Sequence, residues 1–451
     1  MSQPHQKSDM SKVIPKLSLE LSATPSCPPQ DFFLSNSMKN TPVAKKIIPP
    51  TVWLIGLIMC LMNISYIVIY SLSALYLNTS LGVDIRLIGI LEGSAEALSF
   101  IMKLFSGVIT DYFRRRRPIM LIGYFMTVIS KPMMAISANF FNVFAARLFE
   151  RIGNGIQASP RDALIGDVAP VQQRAASFGL MRSLGTAGSF MGGVLGFLAM
   201  WYTANNFQQV FWIASIPAFI AFILLVVYIK EPKTHVDNDG KIVKLKKTRR
   251  PIRIADLLSL GRNYWTLMVI VLIFMSARFS ETLMVLYSHN NFGLDKTYAP
   301  LIMSLYNLTY SFSSYPSGVL ADKYGRKAVM IFGTVALVLS DLFMYAASDL
   351  VTFFIGVFIW GIQLGIVHNM FVSLITDYVH EDVRGTAIGT YYLIAAIGSF
   401  AAGAGGGFVS HHFGIQTIFF GSLIVGLMAL GAMMVLLPWG KKSVVISAKT
   451  Q

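Results

Sequence analysis

The stretch GVITDYFRRRRP, Gly107–Pro118, sets four consecutive arginines between two of the most apolar segments of a 451-residue chain. An arginine at the centre of a bilayer costs roughly 3 kcal/mol or more, so the run belongs in a loop. The pattern returns as GVLADKYGRKAV, Gly318–Val329. Gly107 and Asp111 correspond to Gly318 and Asp322 at an offset of 211 (318 − 107; 322 − 111). A second pair follows, DVAPVQQRAASFG from Asp167 and DYVHEDVRGTAIG from Asp377. Here Asp167, Arg174 and Gly179 match Asp377, Arg384 and Gly389 at an offset of 210 (377 − 167), and GSF at 188–190 recurs at 398–400. One register across three motifs implies a duplicated unit.

Composition states what is duplicated. The chain is 54% hydrophobic and 13% charged, against about 25% charged residues in soluble domains. A membrane-spanning helix needs about 20 apolar residues, and twelve such runs are present. They lie near 52–77, 84–108, 118–138, 141–168, 174–200, 207–230, 263–288, 296–320, 328–347, 350–376, 385–409 and 413–437. The expected fold is all-α and integral to a membrane, with twelve transmembrane helices in two six-helix pseudo-symmetric bundles, 51–230 and 263–437. A charged linker, 231–262, joins them, and its IRIADLLSL has the pattern of a short amphipathic helix on the membrane surface. Residues 1–50 and 438–451 are expected as cytoplasmic tails, the first disordered and without an apolar leader core.

The net charge of +15 reads as topology, not as a nucleic-acid footprint. With the N-terminus inside, the inner segments receive Lys45, Lys46, Arg114 to Arg117, Arg174, the linker's basic cluster, Lys323, Arg326, Lys327, Arg384, Lys441 and Lys442. The outer segments receive essentially Arg86 and Lys296. Cytoplasmic loops are the basic ones, so both termini are expected inside a bacterial inner membrane. Cys27 and Cys60 are too far apart in the chain for a disulfide framework or metal cluster.

The G-x-x-x-D-x-x-G-R-K/R loop, present twice among twelve spans with a long central linker, resembles the major facilitator superfamily over about residues 50–437. RIGNGIQASPRDALIGDVAP (151–170) is similar to a bacterial subgroup with little assigned substrate information. The resemblance implies alternating access, two bundles rocking about a central site. It also implies that each loop aspartate caps a helix start in the opposite bundle, and that each loop arginine pairs with an acid at the end of span 4 or 10. Asp111 would then face the start of span 11 near Gly385, with Arg115 reaching Asp167. Asp322 would face the start of span 5 near Ala175, with Arg326 reaching Asp377. The first copy departs from the family pattern: Arg114 stands where the second has Gly325, and Tyr112 where arginine is usual.

Charges inside spans mark function by default. In span 4, Arg147, Arg151, Asn154, Ala158, Arg161 and Asp162 share about one third of the helical circumference, with Glu150 at its edge. In span 2, Glu92, Glu96 and Lys103 share a face. Matching depths sets Glu92 against Arg147, Glu96 against Arg151 and Lys103 against Asp162. Two readings stand open: a ladder of structural ion pairs, or a cavity for an anion. Span 7 adds Arg278 and Glu281 at i, i+3, able to pair locally. Glu92, Glu96 and Glu281 are the proton-carrying candidates. Tyr66, Tyr70, Tyr306, Tyr310 and Trp360 either line the cavity or pack; His368 and Asn369 in span 10 are weaker candidates, and Asp341 is expected to pair with a neighbouring helix. Ser189 stands where a drug-antiporter signature has proline.

The expected function is secondary active transport of a small polar solute, anions among the candidates, with protons as coupling ion. An exporter of drugs or of a chelator such as a siderophore is the alternative in the same fold, and a non-transporting receptor or scaffold the alternative of another class. No nucleophile–base pair suggests an enzyme. The expected protein is a monomer without cofactor or metal, its partners a small-molecule solute, protons and the lipid bilayer.

Overall fold

The computed structural model describes residues 48–113, 116–170, 173–229, 235–236, 242–243, 260–367, 370–380 and 383–437. The expectations for Arg115, for most of IRIADLLSL and for His368 and Asn369 lie outside the described residues, as does that for the side chain of Asp111.

The first half comprises α1 (Pro50–Thr79), α2 (Ile85–Phe113), α3 (Arg116–Ala135), α4 (Phe140–Val168), α5 (Arg174–Tyr202) and α6 (Phe207–Tyr228). The second comprises α7 (Arg262–Ala277), α8 (Glu281–Phe292), α9 (Ala299–Tyr324), α10 (Arg326–Tyr345), α11 (Leu350–Val367), α12 (Met370–Tyr378), α13 (Arg384–Phe413) and α14 (Thr417–Leu436). Between the halves, β1 (His235–Val236) and β2 (Ile242–Val243) form a short antiparallel pair. Span 7 is thus α7 plus α8, and span 10 is α11 plus α12. Local chemistry sets the ends. Asn139 and Asn206 cap α4 and α6, their side chains accepting from Asn142 N at 2.9 Å and Gln209 N at 3.2 Å.

Among the described residues nine helical spans are long and apolar enough to cross a membrane. The missing three, α2, α4 and α9, are 29, 29 and 26 residues long. Their length suffices, and their polar faces turn inward, where the site lies. Within the first half α1 packs on α5 and α6, and α3 on α4 and α6; within the second α9 and α10 pack on α11, and α7 on α13 and α14. The halves meet through α2 against α13 and α5 against α9, pairs that exchange under the repeat.

These seams close at one end only. A Cβ on Gly89 would lie 2.5 Å from the Gly403 carbonyl oxygen, and one on Gly193 would lie 2.6 Å from that of Pro300. Only residues without a side chain permit that approach. Among the described residues, the contacts towards the basic loops end near Phe100–Tyr392 and Thr186–Ser311. Beyond them, a Cβ on Gly179, Gly318 or Gly385 would meet nothing within 4 Å. The molecule is closed at the end bearing Arg86 and Lys296 and open at the basic end.

In that state Asp322 is exposed, and among the described residues it forms no ion pair with the start of α5. The loops themselves differ between the halves. Gly325, with φ 90°, alone joins α9 to α10, a conformation reserved for glycine. The first half has no glycine at the corresponding position. At the offset of 210 Arg116 is the mate of Arg326 (326 − 116 = 210), and Arg116 pairs with Asp167 and donates to the Ala163 carbonyl. Arg326 does the same with Asp377, as expected, at 2.5 Å, and with the Ser373 carbonyl at 2.6 Å.

Candidate solute site

A cavity of about 220 Å³ lies where the two halves meet. It collects Tyr66 and Tyr70 from α1, Glu92 and Glu96 from α2, Arg151 from α4, Arg278, Ser280 and Glu281 from the break between α7 and α8, and Tyr306, Asn307 and Tyr310 from α9. Five of the six charges expected at a central site line it. The sixth, Arg147, lies behind the wall.

The ladder exists in two rungs of three. Arg147 meets Glu92 at 3.0 Å, and Arg151 meets Glu96 at 3.2 Å. The third rung is absent: Asp162 pairs with its neighbour Arg161 at 3.0 Å, while Lys103 lies 4.7 Å from the Phe100 ring and makes no ion pair among the described residues. The first rung extends into a buried quartet. Arg147 also holds Glu150 at 2.6 Å, and Glu150 holds Lys131 of α3. All four side chains are 1–2% exposed. Lys131 was not anticipated; its signal was a lone cation in an apolar run.

The second rung faces the cavity. Arg151 lies 5.3 and 5.4 Å from the Tyr66 and Tyr70 rings, which stack on each other at 5.1 Å. Such cation–π contacts add roughly 0.5–2 kcal/mol each and fix the guanidinium. Its Nε is buried with no hydrogen-bond partner among the described residues, and so is that of Arg278.

Span 7 is interrupted at 278–280. Arg278 and Ser280 take extended backbone, with φ −87°, ψ 98° and φ −74°, ψ 133°. Irregular backbone at membrane depth is tolerated where it lines a cavity, and this one does. Phe279 anchors it, packing on Trp360 at 4.6 Å and Phe419 at 5.2 Å. Trp360 is thus a packing residue. Ser280 Oγ donates to Glu92 Oε2 at 3.3 Å and lies 3.2 Å from the Tyr70 hydroxyl, which donates to Glu281 Oε2 at 2.8 Å. Arg278 meets Glu281 at 3.5 Å, the expected i, i+3 pair. A continuous polar chain therefore runs from Lys131 in one half to Arg278 in the other.

At the closed end Asp84, preceding α2, accepts from Arg86 Nε at 3.0 Å and lies 2.9 Å from His411 Nδ1 of α13. Hydrogen bonds from Arg86 hold the Asp84 carboxyl below its ordinary range.

Two repeat-related seams, a cavity between the halves and a doubled loop arginine paired to an acid all point one way. The model of the Major Facilitator Superfamily matches residues 53–300 and 266–448. The chain belongs to this superfamily of transporters. An MFS-type transporter of Methanocaldococcus jannaschii is 28% identical over 77% of this chain and 85% of its own. The cis,cis-muconate transport protein of Acinetobacter baylyi is 24% identical over 73% of this chain and 78% of its own. The crystal structure of a point mutant of the nucleoside transporter NupG superposes with TM-score 0.70 at 14% identity, over 85% of this chain and 98% of that one. The last likeness bears on fold alone.

Proposed function

We propose that the chain is a proton-coupled secondary transporter of the bacterial inner membrane, both termini cytoplasmic, that carries a small carboxylate-bearing solute by alternating access. The observation that carries this is the state of the two cavity arginines. Arg151 and Arg278 each balance one carboxylate and each keep a buried Nε–H without a partner. Guanidinium matches a carboxylate with a fork of donors. An arriving anion alone would leave a surplus negative charge in a low-dielectric site. Protonating Glu96 or Glu281 removes that surplus and releases its arginine to the solute. Charge balance thus couples anion and proton.

Size argues against the drug-exporter alternative. About 220 Å³ falls below the roughly 300–1,000 Å³ of drug-sized sites. The muconate relative, a carrier of a dicarboxylate by its name, accords with an anionic cargo. In this reading the open basic end is an inward-facing state. The Arg116–Asp167 and Arg326–Asp377 pairs brace each loop, and Gly107, Asp111, Gly318, Asp322 and Gly325 form the switch that engages when that end closes.

The test is flux in proteoliposomes over a panel of carboxylates, sugars, amines and amino acids. Carboxylates should accumulate with the proton gradient and collapse with an ionophore. Arg151→Lys and Arg278→Lys should raise KM about tenfold or more, equivalent to about 1.4 kcal/mol, with insertion unchanged. Equal transport of sugars and carboxylates, indifferent to pH gradient, would defeat the proposal.

A further inference from the structure

Position 341 is the repeat mate of Lys131 (341 − 131 = 210). In the first half that position is answered by Glu150 and, through Arg147, by Glu92. At the same offset Glu150 becomes Trp360 and Arg147 becomes Val357; at the offset of 211, Glu92 becomes Met303. All three are buried. Asp341 is likewise buried, with 0% exposure, and makes no ion pair among the described residues.

Among the described residues no charge on the neighbouring helices answers it. Its helix α10 packs against α9, α11, α12 and α14, and α11 and α14 carry no charged residue. On α12, Asp377 pairs with Arg326 of α10 itself at the basic end. Lys327 of α10 donates to the Leu437 carbonyl, and Asp322 and Lys323 of α9 are exposed at that same end. Arg278 and Glu281, beside the break, pair with each other. Of the nearby phenols, Tyr287 and Tyr345 pack on Phe419 and Phe420, and Tyr306 and Tyr310 line the cavity.

Among the described residues the partner of Asp341 is Ser422 of α14, whose Oγ is 2.5 Å from Asp341 Oδ2 and 2.5 Å from the Ala277 carbonyl oxygen. Ala277 ends α7, so its carbonyl has no partner within that helix. A hydroxyl has one hydrogen, and a carbonyl only accepts. If Ser422 donates to Ala277, its contact with Asp341 is a hydrogen bond only when the carboxyl donates. Asp341 Oδ1 is buried without a partner, which suits a neutral acid, since an ionised carboxylate without a counter-charge is far costlier to bury.

We infer that Asp341 is a proton-binding site outside the solute cavity, whose proton decides whether Ser422 ties α14 to the end of α7. With the proton on Oδ2, the Ser422 hydroxyl serves Ala277. When the Asp341 O–H bond breaks and the proton passes to water, the hydroxyl turns to the carboxylate and the Ala277 carbonyl is released. The next residues of the chain carry Arg278, Ser280 and Glu281 into the cavity, so occupancy at Asp341 is felt at the solute site. The inference rests on the transport reading only in the use made of the proton.

Infrared difference spectroscopy of the intact protein in liposomes tests it without a solute. The wild type should show a protonated-carboxyl band at neutral pH that is lost in Asp341→Asn and retained in Glu92→Gln. Ser422→Ala should keep the band and shift its frequency. This variant also decides the matter should Asp341→Asn fail to insert. Hydrogen exchange across 276–283, corrected for the intrinsic effect of pH, should rise as the band titrates away in the wild type and stay low in Asp341→Asn. A band unchanged in Asp341→Asn, or unmoved in Ser422→Ala, would overturn the inference. So would exchange that ignores the titration. Absence of flux with the band present would instead count against the transport reading alone.

Discussion

Replacing Arg147 by glutamine is the sharpest test of the buried quartet. In the intact protein two cations, Lys131 and Arg147, alternate with two carboxylates, Glu150 and Glu92, all 1–2% exposed. Arg147→Gln leaves one cation and two acids, a buried net charge of −1. Glu150 keeps Lys131, but Glu92 keeps only the Ser280 hydroxyl at 3.3 Å. Breaking a buried pair by removing one partner costs about 3–5 kcal/mol, and the upper part of that range applies because the stranded carboxylate is almost wholly buried. Adding Glu92→Gln restores neutrality: Lys131–Glu150 remains, and two amides replace a 3.0 Å pair. The double variant should lose only about 1–2 kcal/mol, the scale of altered hydrogen bonds. Glu92→Gln should therefore regain about 2–4 kcal/mol in the Arg147→Gln background, and because Glu92→Gln alone leaves a surplus buried cation the coupling in a double-mutant cycle, measured on unfolding in mixed micelles, should be at least that large. The same cycle on Arg151 and Glu96 should couple less strongly, because Glu96 is 39% exposed and water can solvate it when its partner goes. Additivity at Arg147 and Glu92 to within about 0.5 kcal/mol would refute the quartet as an electrostatic unit, whatever its geometry.

Asp322→Asn should leave stability within about 0.5 kcal/mol, since the carboxyl is exposed and forms no ion pair among the described residues, yet cut flux severely; parallel losses of flux and of inserted protein would defeat the switch role. Gly403→Ala puts a Cβ 2.5 Å from Gly93 Cα, backbone that cannot yield, so a cysteine at position 85 should become more reactive to a membrane-impermeant thiol reagent as the closed end is pried apart. Because Arg86 holds the Asp84 carboxyl below its ordinary range, the Asp84–His411 contact should persist through mildly acid pH. It should be lost only as pH falls below about 4, read from the same thiol and abolished as a transition in Asp84→Asn.

The bundle architecture was legible because it depends on long, redundant signals: twelve apolar runs, loop charge and a repeated register. The rungs Glu92–Arg147 and Glu96–Arg151 were legible for a narrower reason. Helical rise converts sequence distance into depth, and two helices with one polar face each leave few ways to pair. What was missed had no local cause to announce it. The break at 278–280 falls in ARFSE, without glycine or proline. It exists because Phe279 finds a pocket of Trp360 and Phe419 and because the Ser422 hydroxyl donates to the Ala277 carbonyl, all distant in sequence. The Arg116–Asp167 pair was not read because the register shifts from 211 to 210 between Asp111 and Arg116, across the point where the second half has its φ 90° glycine.

The repeat also shows how two copies of one fold come to do different work. In the first half the quartet fastens α2, α3 and α4 to each other through charges that cannot separate without stranding one in a dry interior. A bundle so fastened moves as a body. In the second half the corresponding positions are Met303, Val357, Trp360 and Asp341, so the equivalent helices are held by packing, which is weakly directional and can slide. The span that is broken, and that reaches across to Glu92 and Tyr70, belongs to this half. In the proposed cycle solute and proton would therefore meet at a surface with one stiff wall and one adaptable wall. The polar chain from Lys131 to Arg278 crosses that surface through two hydroxyls, those of Ser280 and Tyr70. Rearrangement at the site should accordingly begin at the break and leave the quartet intact. Hydrogen exchange that loosens 276–283 before it loosens α3 and α4 is the order this asymmetry requires; the reverse order would mean that the charge network is the moving part.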